Sequence, residues 1–246
     1  MKIEVRGLGV EYGGRPVLEN FNFELESGGL ACVVGANGAG KSTFLRCLAG
    51  AMEFSGEILL NGEPLKKIPL RRLARRRAFL PQQPECPSGV TVRDLVGFGR
   101  FPYLGGWRGF AREDDDAVVE AMARCGVSEL AERGLDTLSG GERRKAWIAM
   151  TLAQRPELLL LDEPTAFLDP AGRIMILKLL EQLNRELGLT VVMALHDLRA
   201  AAKIATRTAA VVNRRCRMLE PDELFSAEVL ESVFNLAGDD AAWLFS

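Results

Sequence analysis

Apolar and polar positions alternate along residues 3–12 and 17–26, which predicts two strands joined at the turn signal Gly13-Gly14-Arg15-Pro16. Leu30-Ala31-Cys32-Val33-Val34 is a continuous apolar run, and a helical pattern begins just beyond it at Phe44. Residues 56–61 predict another strand, with Asn61-Gly62 as its hairpin turn. Ala78-Phe79-Leu80 is a short strand ended by Pro81. Leu158 to Leu161 and Leu189 to Leu195 are apolar throughout or nearly so, the pattern of parallel strands covered on both faces. Between them residues 171–187 carry the period of an amphipathic helix, and Gly188 suits its end.

Two more helices are marked by their starts. Glu113-Asp114-Asp115-Asp116 precedes Ala117, Val118, Val119, Ala121 and Met122, and Gly126 closes the stretch. Acidic groups in a first turn suit the helix dipole by about 0.3–1 kcal/mol each. The run therefore reads as a helix start rather than a metal or ligand site. Leu138-Ser139-Gly140-Gly141-Glu142 precedes a helix carrying Ala146, Ile148, Ala149 and Leu152, with Pro156 beyond its end. Ser139 with Glu142 fits a capping box, and two glycines before a helix also fit a second anion-binding N-terminus. Residues 83–112 are rich in Gly, Pro and aromatics (Phe98, Phe101, Tyr103, Trp107, Phe110), a poor core-helix pattern but a good docking surface. The tail predicts a strand at 208–212 and a helix near 221–234, while 235–246 carry no readable signal.

Composition narrows the setting. Hydrophobic residues make up 48% of the 246, enough for a sizeable core, and the net charge of −2 gives no global attraction to nucleic acid. The basic run Lys66, Lys67, Arg71, Arg72, Arg75, Arg76, Arg77 has no interleaved aromatics. It reads as a solvated helix face with Leu70, Leu73 and Ala74 on the other side. Five scattered cysteines (Cys32, Cys47, Cys86, Cys125, Cys216) form no C-x-x-C pair, and a reducing, intracellular setting is expected. The first residues carry no signal-peptide core, and no apolar run approaches the ~18–20 residues of a spanning helix. Work at a membrane would go through a partner.

The densest chemistry lies at Gly35-Ala36-Asn37-Gly38-Ala39-Gly40-Lys41-Ser42-Thr43, between the strand 30–34 and the following helix. The spacing G-x-x-x-x-G-K-S is that of a phosphate-binding P-loop. Gly38 and Gly40 allow a tight turn in which successive N–H groups face phosphate oxygens. The loop ends at a helix N-terminus, which favours an anion. Lys41 supplies a point charge for β- and γ-phosphates, and Ser42 a hydroxyl for Mg²⁺.

Asp162 and Glu163 follow a strand whose C-terminal end is where ligands bind in open α/β sheets. Two adjacent carboxylates there suit a metal ligand and a base that orients water. His196, the single histidine, stands at the end of the next strand, where both a structural and a functional role fit. Tyr12 ends the first strand, either as a half-buried aromatic or as a platform for an adenine ring.

With these residues in view the sequence resembles the ATP-binding cassette ATPases over nearly its whole length. Gly35 to Ser42 match the Walker A loop, Leu80-Pro81-Gln82 the glutamine loop, and Leu138-Ser139-Gly140-Gly141-Glu142 the signature. Leu158 to Asp162 match Walker B, Glu163 the catalytic carboxylate, Phe167-Leu168-Asp169 the D-loop, His196 the switch histidine and Tyr12 the adenine-stacking aromatic. Thr91 to Val96 with Gly99 to Tyr103, Trp147 to Met150 with Leu152 to Gln154, and Thr165 to Asp169 resemble the cassettes of iron–siderophore, haem and cobalamin importers. Two departures stand out. Glu142 replaces a more usual glutamine, and Asn213 to Glu220 lack the glycines of the corresponding hairpin, which puts that edge's geometry in question.

The resemblance implies an α/β fold: a P-loop NTPase (RecA-like) core with an antiparallel β subdomain and an inserted α-helical subdomain. Residues 1–81 and 155–246 would be core, and 82–154 helical. It implies ATP and Mg²⁺ as cofactors, with Ser42, Gln82 and Asp162 toward the metal and Glu163, His196, Lys41 and again Gln82 toward hydrolysis. Ser139, Gly140, Gly141, Glu142 and Asp169 would act on nucleotide held by a second copy of the chain. The implied partners are that second copy, a membrane permease and, indirectly, a substrate-binding protein, with no nucleic acid. The implied location is the cytoplasmic face of the cell membrane. A cassette for another importer or exporter, and a soluble cassette ATPase, are the alternatives. A P-loop GTPase is disfavoured, because Asp169-Pro170-Ala171-Gly172 spells D-x-x-G but no N-K-x-D exists.

Overall fold

A computed structural model of the chain describes residues 1–85, 88–104 and 110–234. Cys86, Trp107 and the segment 235–246 lie outside the described residues. The chain forms two units, Met1–Lys67 with the stretch from Thr190 onward, and Ile68–Leu189.

The first unit opens with β1 (Ile3–Tyr12) and β2 (Arg15–Leu25), an antiparallel pair with Tyr12 opposite Arg15. The turn is therefore Gly13-Gly14 alone, two residues shorter than the sequence suggested. Their φ values of 55° and 76° match the right-handed twist of the flanking strands, which lets pairing begin at once. Ile3, Val5, Leu8 and Val10 from one strand and Leu18, Phe21, Phe23 and Leu25 from the other are buried. β3 (Leu30–Val34) is buried at every position and feeds α1 (Lys41–Leu48). β4 (Ser55–Leu60) pairs with β1, and β5 (Glu63–Pro64) follows the Asn61-Gly62 turn, giving the sheet order β2-β1-β4-β5. Phe44 of α1 packs its ring 4.6 Å from Phe21 and 5.1 Å from Phe23. That contact anchors the helix behind the phosphate loop on the antiparallel sheet.

The second unit begins with α2 (Leu70–Arg76) and β6 (Arg77–Leu80). Leu73 is buried as expected, but Leu70 is 70% exposed. It is the first residue of a helix of only about two turns, and its side chain leans back past the packed surface. The basic face also does more than meet water. Arg71 donates to Leu104 O at 3.1 Å and Arg75 to Pro102 O at 3.0 Å, so two of the guanidiniums cap the carbonyls of a turn.

Within 83–112, a stretch whose pattern looked poor for a core helix, α3 (Val92–Phe98) forms with Val92, Leu95 and Val96 buried. A Thr91–Asp94 capping box starts it, and the aromatic-rich composition had masked this short pattern. α4 (Arg112–Cys125) starts at the acidic run and ends at Gly126, φ 63°. Asp114 is fully buried, with Oδ1 accepting from Arg100 Nε at 2.9 Å and Oδ2 accepting from Ala111 N at 3.0 Å. Arg100 also donates to Ala153 O at 2.7 Å and stacks on Tyr103.

α5 (Gly140–Ala153) contains both glycines in its first turn, rather than following them. β7 (Leu158–Asp162) runs parallel to β6, and α6 (Pro170–Leu187) ends at Gly188, φ 62°. Thus α3, α4 and α5 are inserted between two neighbouring parallel strands.

The chain returns to the first unit with β8 (Thr190–Ala194), α7 (Leu198–Ile204), β9 (Arg207–Val212), β10 (Arg215–Leu219) and α8 (Ala227–Phe234). β3 lies between β8 and β9, parallel to both, and β10 folds back antiparallel on β9. The glycine-poor edge forms an ordinary tight hairpin, with Asn213 at φ 46° and Arg214 at φ 68°. The architecture is the expected α/β one: parallel strands, an antiparallel sheet and an inserted helical segment. Cys32, Cys47 and Cys125 are buried free thiols, and burial pushes Cys47 and Cys125 up to about 12.

Candidate nucleotide site

In the first unit the phosphate loop is built on its own contacts. Gly40 takes φ 105°, a conformation strained for any side chain, and a Cβ there would also press on Leu18 Cδ2 at 2.8 Å. The helix ladder begins with Phe44 N donating to Gly40 O at 2.9 Å. The amides of Lys41, Ser42 and Thr43 precede it at the helix mouth. Lys41 is 5% exposed, and its Nζ donates to Gly35 O at 2.8 Å and Ala36 O at 2.9 Å. The ammonium is thus held over its own loop. A cradle of amides with one buried cation suits a polyphosphate.

Tyr12, at the end of β1, is 59% exposed. His196 is exposed two residues beyond β8, and Asp197 caps α7 by accepting from Ala200 N at 3.0 Å.

In the second unit Asp162 is the buried last residue of β7. Glu163 follows with φ 47°, a left-handed conformation unusual for a residue with a side chain. Gln82 Nε2 donates to Glu163 Oε2 at 2.7 Å, so the glutamine and the carboxylate that the sequence singled out 81 positions apart do meet. Their oxygens are hard donors of the kind Mg²⁺ takes.

Ser139 caps α5 in a complete capping box. Its hydroxyl oxygen accepts from Glu142 N at 3.3 Å, while Glu142 Oε2 accepts from Ser139 N at 2.9 Å and from Ser139 Oγ at 2.7 Å. The Ser139 hydroxyl, then its amide, hold the Glu142 carboxyl below the usual range. Gly140 lies against Leu168, and Asp169 caps α6 by accepting from Gly172 N at 2.6 Å. Between them Phe167 is 76% exposed at φ 62°.

Sequence reasoning missed Arg144, whose guanidinium is buried and donates to the carbonyls of Glu163 and Pro164, both at 2.6 Å. An arginine amid a helix's polar positions gives no sign of burial, and only the Arg-Arg pair after Glu142 marks the place.

Known proteins match this organisation. The ABC transporter family profile covers residues 18–166. The achromobactin transport ATP-binding protein of Dickeya dadantii (strain 3937) is 41% identical over 236 residues, spanning 95% of this chain and 88% of its own length. The iron(3+)-hydroxamate import ATP-binding protein of Bacillus subtilis (strain 168) is 40% identical over 235 residues, spanning 93% of this chain and 86% of its own. A solved metal-chelate type ABC transporter in an inward-facing conformation superposes with a TM-score of 0.84 at 29% identity, covering 96% of this chain and 89% of that one. The P-loop, the strand-end carboxylates, the glycine-led helix and these matches together make the chain a member of the ABC transporter family.

Proposed function

We propose that this chain is the ATP-hydrolysing subunit of a membrane importer, energising uptake of a metal chelate of iron–siderophore, haem or cobalamin type through a separate permease. The observation that carries the transport reading is the extent of the similarity to siderophore and iron–hydroxamate import proteins, which runs over nearly the whole chain. Residues 82–154 act as the helical subdomain and 1–81 with 155–246 as the core. No described helix is long and apolar enough to cross a membrane. In this reading the chain works at the cytoplasmic face of the membrane, through its permease. Phe101 and Phe110, exposed around the turn after α3, supply apolar surface for that contact.

The chemistry follows from the residues. Tyr12 stacks on the adenine, and the amides from Gly35, Ala36, Asn37, Gly38, Ala39 and Gly40 through Thr43 take the phosphates. Lys41 exchanges its loop carbonyls for β- and γ-phosphate oxygens. Ser42, Asp162 and Gln82 would hold Mg²⁺, directly or through water, and the ion would supply positive charge toward the phosphates. Glu163 accepts the proton of the attacking water, and His196 keeps water and γ-phosphate in place. In a homodimer, Ser139, Gly140, Gly141, Glu142 and Asp169 of each copy face the nucleotide of the other. Nucleotide then shifts the pair toward the closed state, and its loss reopens it.

The test is affinity purification from detergent-solubilised native membranes, with a substrate-binding protein sought alongside. Recovery of a polytopic permease of the metal-chelate type supports the importer. Soluble partners alone, with ATPase activity intact, would overturn transport while leaving the hydrolysis chemistry.

A further inference from the structure

Arg144 is a buried cation that the chemistry above leaves unused. It is the fifth residue of α5, 7% exposed. Nε donates to Pro164 O and one Nη to Glu163 O, both at 2.6 Å, and the other Nη reaches Pro81 O at 3.5 Å. A planar guanidinium holds its donors in a fixed fork and so sets the direction of both carbonyls, whereas an ammonium, which can also reach two carbonyls as Lys41 does, imposes no such plane.

Those three carbonyls are not arbitrary. Glu163 sits at φ 47°, a conformation that its side chain disfavours and that surrounding contacts must impose. Its carbonyl also accepts from Ala166 N at 3.1 Å, so the turn after β7 is tied at one oxygen from two sides. Pro81 is the residue before Gln82. The backbone beside each member of the Gln82–Glu163 pair is therefore anchored on one guanidinium. The guanidinium itself belongs to the helix that Ser139 opens.

We infer that Arg144 is the positioning residue that ties the Glu163 backbone, and so the direction of its carboxylate, to the helix opened by Ser139-Gly140-Gly141. It touches no reacting atom. A shift at the start of α5 is passed to Glu163 through two short hydrogen bonds, which makes the base's orientation answer to the state of that helix. This role rests on the ATPase reading above.

The test compares Arg144→Met, Arg144→Lys and Arg144→Ala in the full chain. Arg144→Met is expected to lower kcat about 10²-fold, as misplacing a reacting group by about 1 Å does, with KM for ATP changed less than about twofold. Arg144→Lys regains part of the loss. Adding millimolar guanidinium to Arg144→Ala restores kcat saturably, which a denaturant cannot do for a merely unstable protein. In the nucleotide-free protein, Arg144→Met speeds hydrogen exchange across residues 163–168 while the strand Leu158–Asp162 keeps its protection. Unchanged kcat, or faster exchange throughout the chain with no guanidinium rescue, would overturn the inference. A wild type without ATPase activity would overturn the functional reading instead, and exchange in the nucleotide-free protein would still decide the role of Arg144.

Discussion

Gln82 Nε2 donates to Glu163 Oε2 at 2.7 Å, joining the residue after a strand-ending proline to the carboxylate after β7. A hydrogen bond to a carboxylate oxygen fixes the direction in which the group points. Glu163→Gln is expected to bind Mg-ATP and form a stable nucleotide-bound dimer, yet lose about 10²–10⁴-fold in turnover. Gln82→Ala should lose less, because it removes the orienter and leaves the base. Phosphate release and sedimentation with ATP check both, and wild-type turnover in Glu163→Gln would remove Glu163 from the chemistry.

Glu142 holds Ser139 in a capping box while placing a negative charge beside a helix mouth proposed to face phosphate. Its carboxyl is depressed below 4.5 in the folded chain. The stabilisation it gives is present above the unfolded value and lost as pH falls through the lower folded one. Glu142→Gln keeps a hydrogen-bonding oxygen and removes the charge. Its KM for ATP should fall severalfold, and any stability deficit at neutral pH should shrink on acidification. Thermal melts at pH 7 and pH 4 read the second effect. A deficit that widens toward low pH would contradict it.

The β9–β10 hairpin carries Arg214 at φ 68°, a conformation that costs an L-residue about 1–2 kcal/mol. Its exposed ion pair with Glu19, at 3.1 Å, is worth little in return. Arg214→Gly should stabilise the chain by about 0.5–1 kcal/mol with ATPase activity unchanged. Urea titration measures it, and a loss of stability would show that the Glu19 contact outweighs the strain.

Asp114 and Arg100 form a pair that is almost wholly out of solvent, so removing one partner strands the other. Asp114→Ala should cost about 3–5 kcal/mol, visible as a lowered denaturation midpoint. A cost below about 1 kcal/mol would mean that the Arg100 contacts to Ala153 O and Tyr103 suffice alone.

The site was legible where chemistry demands a local spacing. The loop from Gly35 to Thr43 and the Ser139–Glu142 cap are each closed within a few residues, so sequence neighbours are spatial neighbours. The strands 30–34 and 158–161 announced themselves because burial on both faces selects a continuous apolar run. What stayed hidden depends on contacts across long separations. Arg144 reaches carbonyls 19 and 20 residues away, and backbone oxygens leave no mark in the sequence. Asp114 looked like its acidic neighbours, since the cation it is buried against, Arg100, lies 14 residues earlier. The helix at Val92–Phe98 was lost among aromatics because three buried positions are too few to show a period.

The carbonyls of Gly35 and Ala36 already hold the Lys41 ammonium where a phosphate would find it. An arriving nucleotide swaps one set of oxygens for another and has little loop to order. On the proposed reading the loop acts as a stator, with its cation seated before a phosphate arrives. Whatever stroke the cycle delivers must originate in parts whose geometry differs between loaded and empty states.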